Sequence, residues 1–175
     1  MRIADLDFIL IPEWLAGQHP AEPDPDHWMS RWQRNIATAN WLDAQALPPA
    51  AGLLAQIAQS TRPVVVVTHG HAVDVLLSVT TEIADQPVIG AFIVAPAPRQ
   101  AAYDAGPELS FSSLIVAPDD HPDFAADAAQ QLSQRLGSHF VAAGRAGRLD
   151  TASGQGPWPE GLMRLGGFLK RLSSH

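Results

Sequence analysis

Apolar positions along this chain fall into short β-rich runs separated by stretches with helical spacing. Phe8 to Ile11 is a compact apolar run closed by Pro12, which predicts a first strand buried on both faces. Trp28, Trp32 and Ile36 recur at i, i+4 and i+8, so a helix is predicted over 27–36, with Asp26 placed to cap it and the tryptophan stripe facing the core. Trp41 to Leu47 reads as a short edge strand or an irregular link, and Pro48 to Gln59 as an alanine- and leucine-rich helix ending before Thr61-Arg62-Pro63. Val64 to Val67 is the plainest strand in the chain. After it the pattern predicts a helix over 72–84, strands at Val88 to Val94 and Ser113 to Ala117, and a helix from Phe124 to Leu136. A last strand at Phe140 to Ala142 and a terminal helix from Pro159 to Leu172, with Pro159 near its first turn, complete the series. Strand–helix alternation of this kind implies right-handed crossovers and a mostly parallel central sheet with helices on both faces, a three-layer α/β fold within one domain over 1–175.

Three connections stand apart from the short ones. Glu13 to Asp26 is long for a loop and follows or contains prolines 12, 20, 23 and 25, a sign of a functional segment or an insertion. Ala95 to Leu109, with Pro96, Pro98 and Pro107, reads as a surface loop bordering a site. Gly144 to Trp158 joins the last strand to the last helix at the end of the sheet where open α/β folds place their ligands.

Composition narrows the function classes. With 175 residues, 46% of them hydrophobic and 17% charged, the chain is long enough to bury a core without disulfides or metals. Eighteen acidic residues against 11 basic ones give a net charge of -7, which repels a phosphate backbone, so nucleic acid is not an expected partner. The absence of cysteine excludes a disulfide frame, a thiol nucleophile and cysteine-ligated metal. The hydrophobic run near the N-terminus is too short for a signal sequence or a membrane span, so a cytoplasmic protein without a membrane partner is expected.

Candidate chemistry centres on residues 64–74, VVVVTHGHAVD, where a buried strand runs through a tight His-Gly-His turn into a helical pattern. An α/β hydrolase places its serine at this kind of elbow, in the pattern G-x-S-x-G. Here the five residues are Thr68, His69, Gly70, His71 and Ala72, and the position of the nucleophile is a glycine. Two further segments join it: Ile11-Pro12-Glu13-Trp14 followed by His27-Trp28-Met29-Ser30-Arg31-Trp32, and SGQGPWPEG at 153–161. Together they resemble the small serine hydrolases of the YdeN and retinoblastoma-binding-protein-nine family, within the α/β hydrolase superfamily, and the last segment is the most specific of the three.

That resemblance implies a Ser-Asp-His triad in that chain order. The serine that follows a histidine at the elbow corresponds to Gly70. The aspartate before a proline after the penultimate strand corresponds to His121, before Pro122; a shift of one residue in that turn puts Asp120 there instead. The histidine of an A-G-H loop corresponds to Arg148, after Ala146-Gly147. Glu13 stands where the family has a glycine near the oxyanion hole, and Trp14 and Trp158 are expected to border the cleft. A glycine has no side chain to attack with, and an arginine stays protonated and cannot serve as a base. The expectation is therefore an inactive hydrolase whose former cleft, with Glu13, Trp14, His69, His71, Asp120 and Trp158, takes a small anion or a protein partner.

The argument for an anion is that the His71 N–H at a helix N-terminus and the Arg148 guanidinium would both face the cleft. The competing expectation is that Arg148 pairs internally with Asp120 or Glu13. A second function class stays open, an esterase or amidase working through other residues; Thr68, Ser112 and Ser113 are hydroxyls on strand ends. His69, His71 and His121, with Asp120 or Asp74, invite a metal, but His69 and His71 flank a tight turn and point apart, so neither metal nor cofactor is expected. His69 reads as a packed residue, and Asp74 as an acceptor at the elbow helix or a partner of His71. His19, His139 and His175 receive no role, and the oligomeric state is not legible.

Overall fold

The computed structural model describes residues 1–15, 22–43, 45, 48–99 and 107–174. Its framework is a six-stranded sheet of β1 (Asp7–Ile11), β2 (Ala39–Trp41), β3 (Val64–His69), β4 (Val88–Val94), β5 (Ser112–Ala117) and β6 (His139–Ala142). The order is β2-β1-β3-β4-β5-β6 and every pairing is parallel. A parallel sheet needs both faces covered, which is why its strands read as continuous apolar runs. The valine run shows the consequence: Val64 and Val66 enter one core with Ile9, Ile93 and Ile115, while Val65 and Val67 enter the other with Phe8, Leu10 and Phe92.

Helices α1 (Trp28–Asn35) and α5 (Pro159–Leu172) cover the second of these faces, through Trp28, Trp32, Leu165 and Phe168. On the first face lie α2 (Pro49–Gln59), α3 (Val73–Leu77) and α4 (Ala126–Leu136), through Leu53, Ile57, Leu76 and Leu132. Among the described residues no helix is long and apolar enough to cross a membrane.

Chain direction across the sheet reverses between β1 and β3, since β2 lies on one side of this pair and β4 to β6 on the other. Open α/β sheets bind ligands outside the carboxyl ends of the strands at such a point. Ile11 registers with Thr68 at the end of this pairing, so two residues further along each strand the chain brings Glu13 beside Gly70.

Several local expectations change. The helix after the elbow is a single 3-10 turn, Gly70–Ala72, followed by only Val73–Leu77, not a helix to residue 84. Hydroxyls interrupt it: Ser78 Oγ donates to the Val75 carbonyl at 2.8 Å and Thr80 Oγ1 to that of Leu77 at 3.4 Å, competing with the backbone ladder. The cap of α1 is His27, whose Nδ1 accepts the Met29 N–H at 3.1 Å, rather than Asp26. The edge strand is Ala39–Trp41; residues 44, 46 and 47 of the segment expected there lie outside the described ones.

The SGQGPWPEG segment is an anchor for the second core. Trp158 caps α5 in a left-handed conformation, φ 35°, and is only 3% exposed, with its ring beside Trp28, Trp32 and Phe92. A Cβ on Gly161 would collide with that ring, so the glycine three positions on is what admits the tryptophan. Trp158, expected at the cleft, is core, because α5 and α1 close over it.

Candidate functional site

At the elbow, Gly70 has φ +60°, a left-handed conformation that favours glycine. The space its side chain would enter is taken: a Cβ there would lie 2.5 to 3.0 Å from the carboxyl group of Glu13. The His71 N–H donates to Glu13 Oε1 at 3.4 Å, and His71 Nε2 lies 3.5 Å from the same oxygen. In this kind of elbow the N–H after the nucleophile position is an oxyanion donor. Here that donor faces the chain's own carboxylate. The His71 ring is held from its other side, Nδ1–H donating to the Ala97 carbonyl at 2.6 Å.

The loops after β5 and β6 bring His121 and Arg148 to the same end of the sheet. His121 is 9% exposed; its Nδ1 accepts the Asp123 N–H at 3.1 Å, and burial together with the nearby Arg148 cation pushes its pKa down. Charge interactions link His121 to Glu13 and Asp123 as well, so the loops after β1, β5 and β6 converge at this end of the sheet. Arg148 pairs with Asp123, which holds the Asp123 carboxyl below and the guanidinium above their ordinary values. Neither Asp120 nor Glu13 is its partner. Asp120 Oδ1 instead accepts the Gly147 N–H at 2.9 Å, the main cause of its lowered pKa, and so fastens one loop to the other.

Beside the elbow lies a cavity of about 330 Å³, lined by Glu13, Trp14, Asp24, His27, His69 and Asp150 along with Thr151 and Ala152. His69 is buried as expected. Its Nε2–H donates to the Arg148 carbonyl at 2.8 Å, which leaves Nδ1 as a bare acceptor, and burial lowers its pKa. His27 has the complementary state: Nδ1 accepts from Met29, so Nε2 carries the proton, and burial pushes its pKa to about 3. Both rings are neutral at physiological pH, with centroids 4.9 Å apart. His27 Nε2, His69 Nδ1 and Trp14 Nε1 are all buried without a hydrogen-bond partner. Two carboxylates complete the wall. Asp24 Oδ2 accepts the Thr151 hydroxyl at 2.6 Å and Asp150 Oδ1 the Ser153 N–H at 2.8 Å, bonds that lower both pKa values, for Asp150 against an opposing push from burial.

The sequence model of the serine hydrolase family matches residues 20–167. This chain belongs to the serine hydrolase family. No curated protein matches it. Among solved structures it is similar to a YdeN-like hydrolase of Pectobacterium atrosepticum, 24% identical over 96% of this chain and 92% of that one, with a TM-score of 0.82. The ydeN product of B. subtilis is 12% identical over 95% and 99% of the two chains, TM-score 0.68. The esterase domain of a Rhodothermus marinus protein is 11% identical over 91% and 85%, TM-score 0.62. The fold is that of the α/β hydrolases.

In this serine hydrolase family member three further hydroxyls are expected at strand ends. Thr68 is fully buried with no partner for Oγ1, and Ser113 Oγ bonds Ser138 Oγ at 2.5 Å; Ser112 begins β5, at the amino end of the sheet. Among the described residues no group of three histidine, aspartate or glutamate side chains is placed to hold a metal ion. Asp74 accepts the Arg99 N–H, at 3.0 and 3.3 Å, rather than pairing with His71, and burial raises its pKa. His19 and His175 lie outside the described residues.

Asp24, His27 and Asp150 line the cavity without having been singled out from the sequence. The signal for them is indirect: Asp24 and His27 lie in or directly after the proline-rich loop that reads as a functional segment or an insertion, and Asp150 lies in the loop at the carboxyl ends of the strands. His71, Asp120 and Trp158, which were singled out, do not line it.

Proposed function

We propose that this family member has lost serine-dependent hydrolysis and keeps the cleft at the β1–β3 switch point as a small-molecule site. On this reading Gly70, His121 and Arg148 stand at the serine, aspartate and histidine positions of the family. One observation carries it: the Glu13 carboxylate occupies the space above Gly70 and faces the His71 N–H. A carboxylate there opposes the negative charge that forms on the carbonyl oxygen during acyl transfer, so the electrostatic assistance of the fold is reversed as well as the nucleophile removed. Loss of the nucleophile alone removes most of a hydrolase's rate enhancement.

The same carboxylate argues against the anion expected from the sequence, and so does the engagement of Arg148 with Asp123. A cavity of about 330 Å³ falls at the small end of small-molecule sites and favours such a ligand over a protein partner. Labelling with a fluorophosphonate probe, beside hydrolysis of short activated esters, tests the reading. The native chain and Gly70→Ser are expected to stay unlabelled. The fourfold variant Glu13→Gly, Gly70→Ser, His121→Asp, Arg148→His is expected to label. Stoichiometric labelling of the native chain overturns the proposal.

A second reading rests on His71. Its Nδ1–H is fixed by Ala97, so Nε2 is free to take a proton from water next to Glu13, as a hydrolase without a covalent intermediate requires. Ester hydrolysis by the native chain, insensitive to fluorophosphonate and abolished in His71→Gln, would establish that mechanism instead.

A further inference from the structure

We infer that the cavity beside the elbow binds a small organic cation, an amine or quaternary ammonium group carrying an uncharged polar arm. This rests on the reading of the cleft as a ligand site, and not on the loss of the nucleophile.

Charge is the first argument. Glu13, Asp24 and Asp150 line the cavity and, among the described residues, no lysine or arginine does. The hydrogen bonds that Asp24 and Asp150 accept favour their ionised forms. The imidazoles in the wall do not offset these charges, because burial keeps His27 and His69 neutral. Arg148, whose carbonyl bonds His69, has its guanidinium committed to Asp123. An anion entering this space meets carboxylates, and a cation is attracted by them.

Unmet hydrogen bonding is the second and independent argument. His27 and His69 are 3% and 2% exposed and line the cavity, and each has a buried ring nitrogen with no hydrogen-bond partner among the described residues. One is a donor, His27 Nε2–H, and the other an acceptor, His69 Nδ1. A hydroxyl can satisfy both at once, since it donates and accepts. Buried polar groups are rarely left unpaired, so this pair points to a polar but uncharged part of a ligand. Trp14 contributes an aromatic wall suited to an ammonium group, and its ring is held in place edge-on against His27 at 5.0 Å and Trp41 at 5.6 Å.

Choline and its uncharged carbon isostere 3,3-dimethylbutanol share one shape and differ only in the charge of the head group, while 3,3-dimethylbutanoate keeps the uncharged head and carries a negative charge in place of the hydroxyl arm. Calorimetric titration of the native chain with each is expected to show choline binding at least ~10-fold more tightly than the alcohol, and no binding of the anion, as charge recognition in a partly desolvated site requires. In Asp24→Asn with Asp150→Asn, where the amides keep an acceptor for Thr151 and Ser153, choline is expected to lose its advantage over the alcohol. Equal or tighter binding of the alcohol or the anion overturns the inference, as does unchanged choline affinity in the double variant. Failure of choline, ethanolamine and tetramethylammonium alike to bind at millimolar concentration overturns it too. Fluorophosphonate labelling reports only on the nucleophile, so the two proposals fail separately.

Discussion

The two halves of the cleft differ in how their polar groups are satisfied. Around the elbow, the groups meet one another: Glu13 faces the His71 N–H, the His71 ring bonds Ala97, the Gly70 carbonyl accepts from the Ala97 N–H, and Arg148 pairs with Asp123. Across the cavity, Trp14 Nε1, His27 Nε2 and His69 Nδ1 find no partner among the described residues. A buried polar group left unmet costs about 1–3 kcal/mol, so the second arrangement is tolerated at the expense of stability. The contrast teaches that one end of a sheet can hold both a region whose polar groups satisfy one another and a region whose groups are left unmet.

The largest test of this contrast removes the wall behind both halves. Trp28 is fully buried, donates from Nε1 to the Leu149 carbonyl at 2.8 Å, and lies against His27, His69 and Trp158. Trp28→Ala is expected to cost about 3–5 kcal/mol in urea unfolding, by cavity formation and a lost hydrogen bond. A cost below about 1 kcal/mol would show that the stripe supports neither half.

Next comes the elbow itself. Gly70→Ala places a Cβ at φ +60° and against the Glu13 carboxyl, and should cost about 1–3 kcal/mol from backbone strain together with displacement of Glu13. In the Glu13→Ala background only the backbone part remains. A double-mutant cycle should therefore show coupling, and strict additivity would mean that Glu13 does not fill the elbow.

The cavity half is probed by pH. His27 ordinarily titrates at 6.5 but takes a proton at about 3 when folded, so the unfolded chain binds more protons in between. Its contribution is fully present above the unfolded pKa and is lost as pH falls from 6.5 towards 3, at about 1.4 kcal/mol per pH unit. His69, also lowered, acts in the same direction. His27→Asn retains an acceptor for the Met29 N–H and removes the titration, so its stability should fall less steeply between about pH 7 and about pH 5. An unchanged slope would place the unmet histidine elsewhere.

The smallest effect is expected at Arg148. Its ion pair with Asp123 is more than a third exposed on both sides, where solvent screening leaves little net stabilisation. Arg148→Gln should leave the urea midpoint within error of the native chain; a marked loss would mean that this side of the site depends on the guanidinium for its structure.

Much of the architecture was legible before the structure because its signals are local. Runs such as Phe8 to Ile11 and Val88 to Val94 mark strands buried on both faces, and both were placed within a residue of their observed bounds. The helix after the elbow is shorter than the apolar spacing predicts, because that spacing continues through Val79 and Ile83 while the hydroxyls of Ser78 and Thr80 compete with the ladder. Trp158 lies in the core rather than at the cleft, since a tryptophan between prolines and glycines reads equally as a cleft wall or a core anchor. The packing of α5 against α1 decides between them.

The sequence by itself determined the parallel α/β framework, the elbow after β3 and the absence of a hydroxyl or thiol at residue 70, since each follows from residue type and short-range pattern. Tertiary structure decided which group faces which. Glu13 and His71 are 58 residues apart in the chain, and Trp28 and Leu149 are 121 apart. Only the register of β1 on β3 brings the carboxylate over Gly70, and only the convergence of the loops before α1 and after β6 encloses the cavity. Such meetings depend on how strands align in space, which no local pattern of residues encodes.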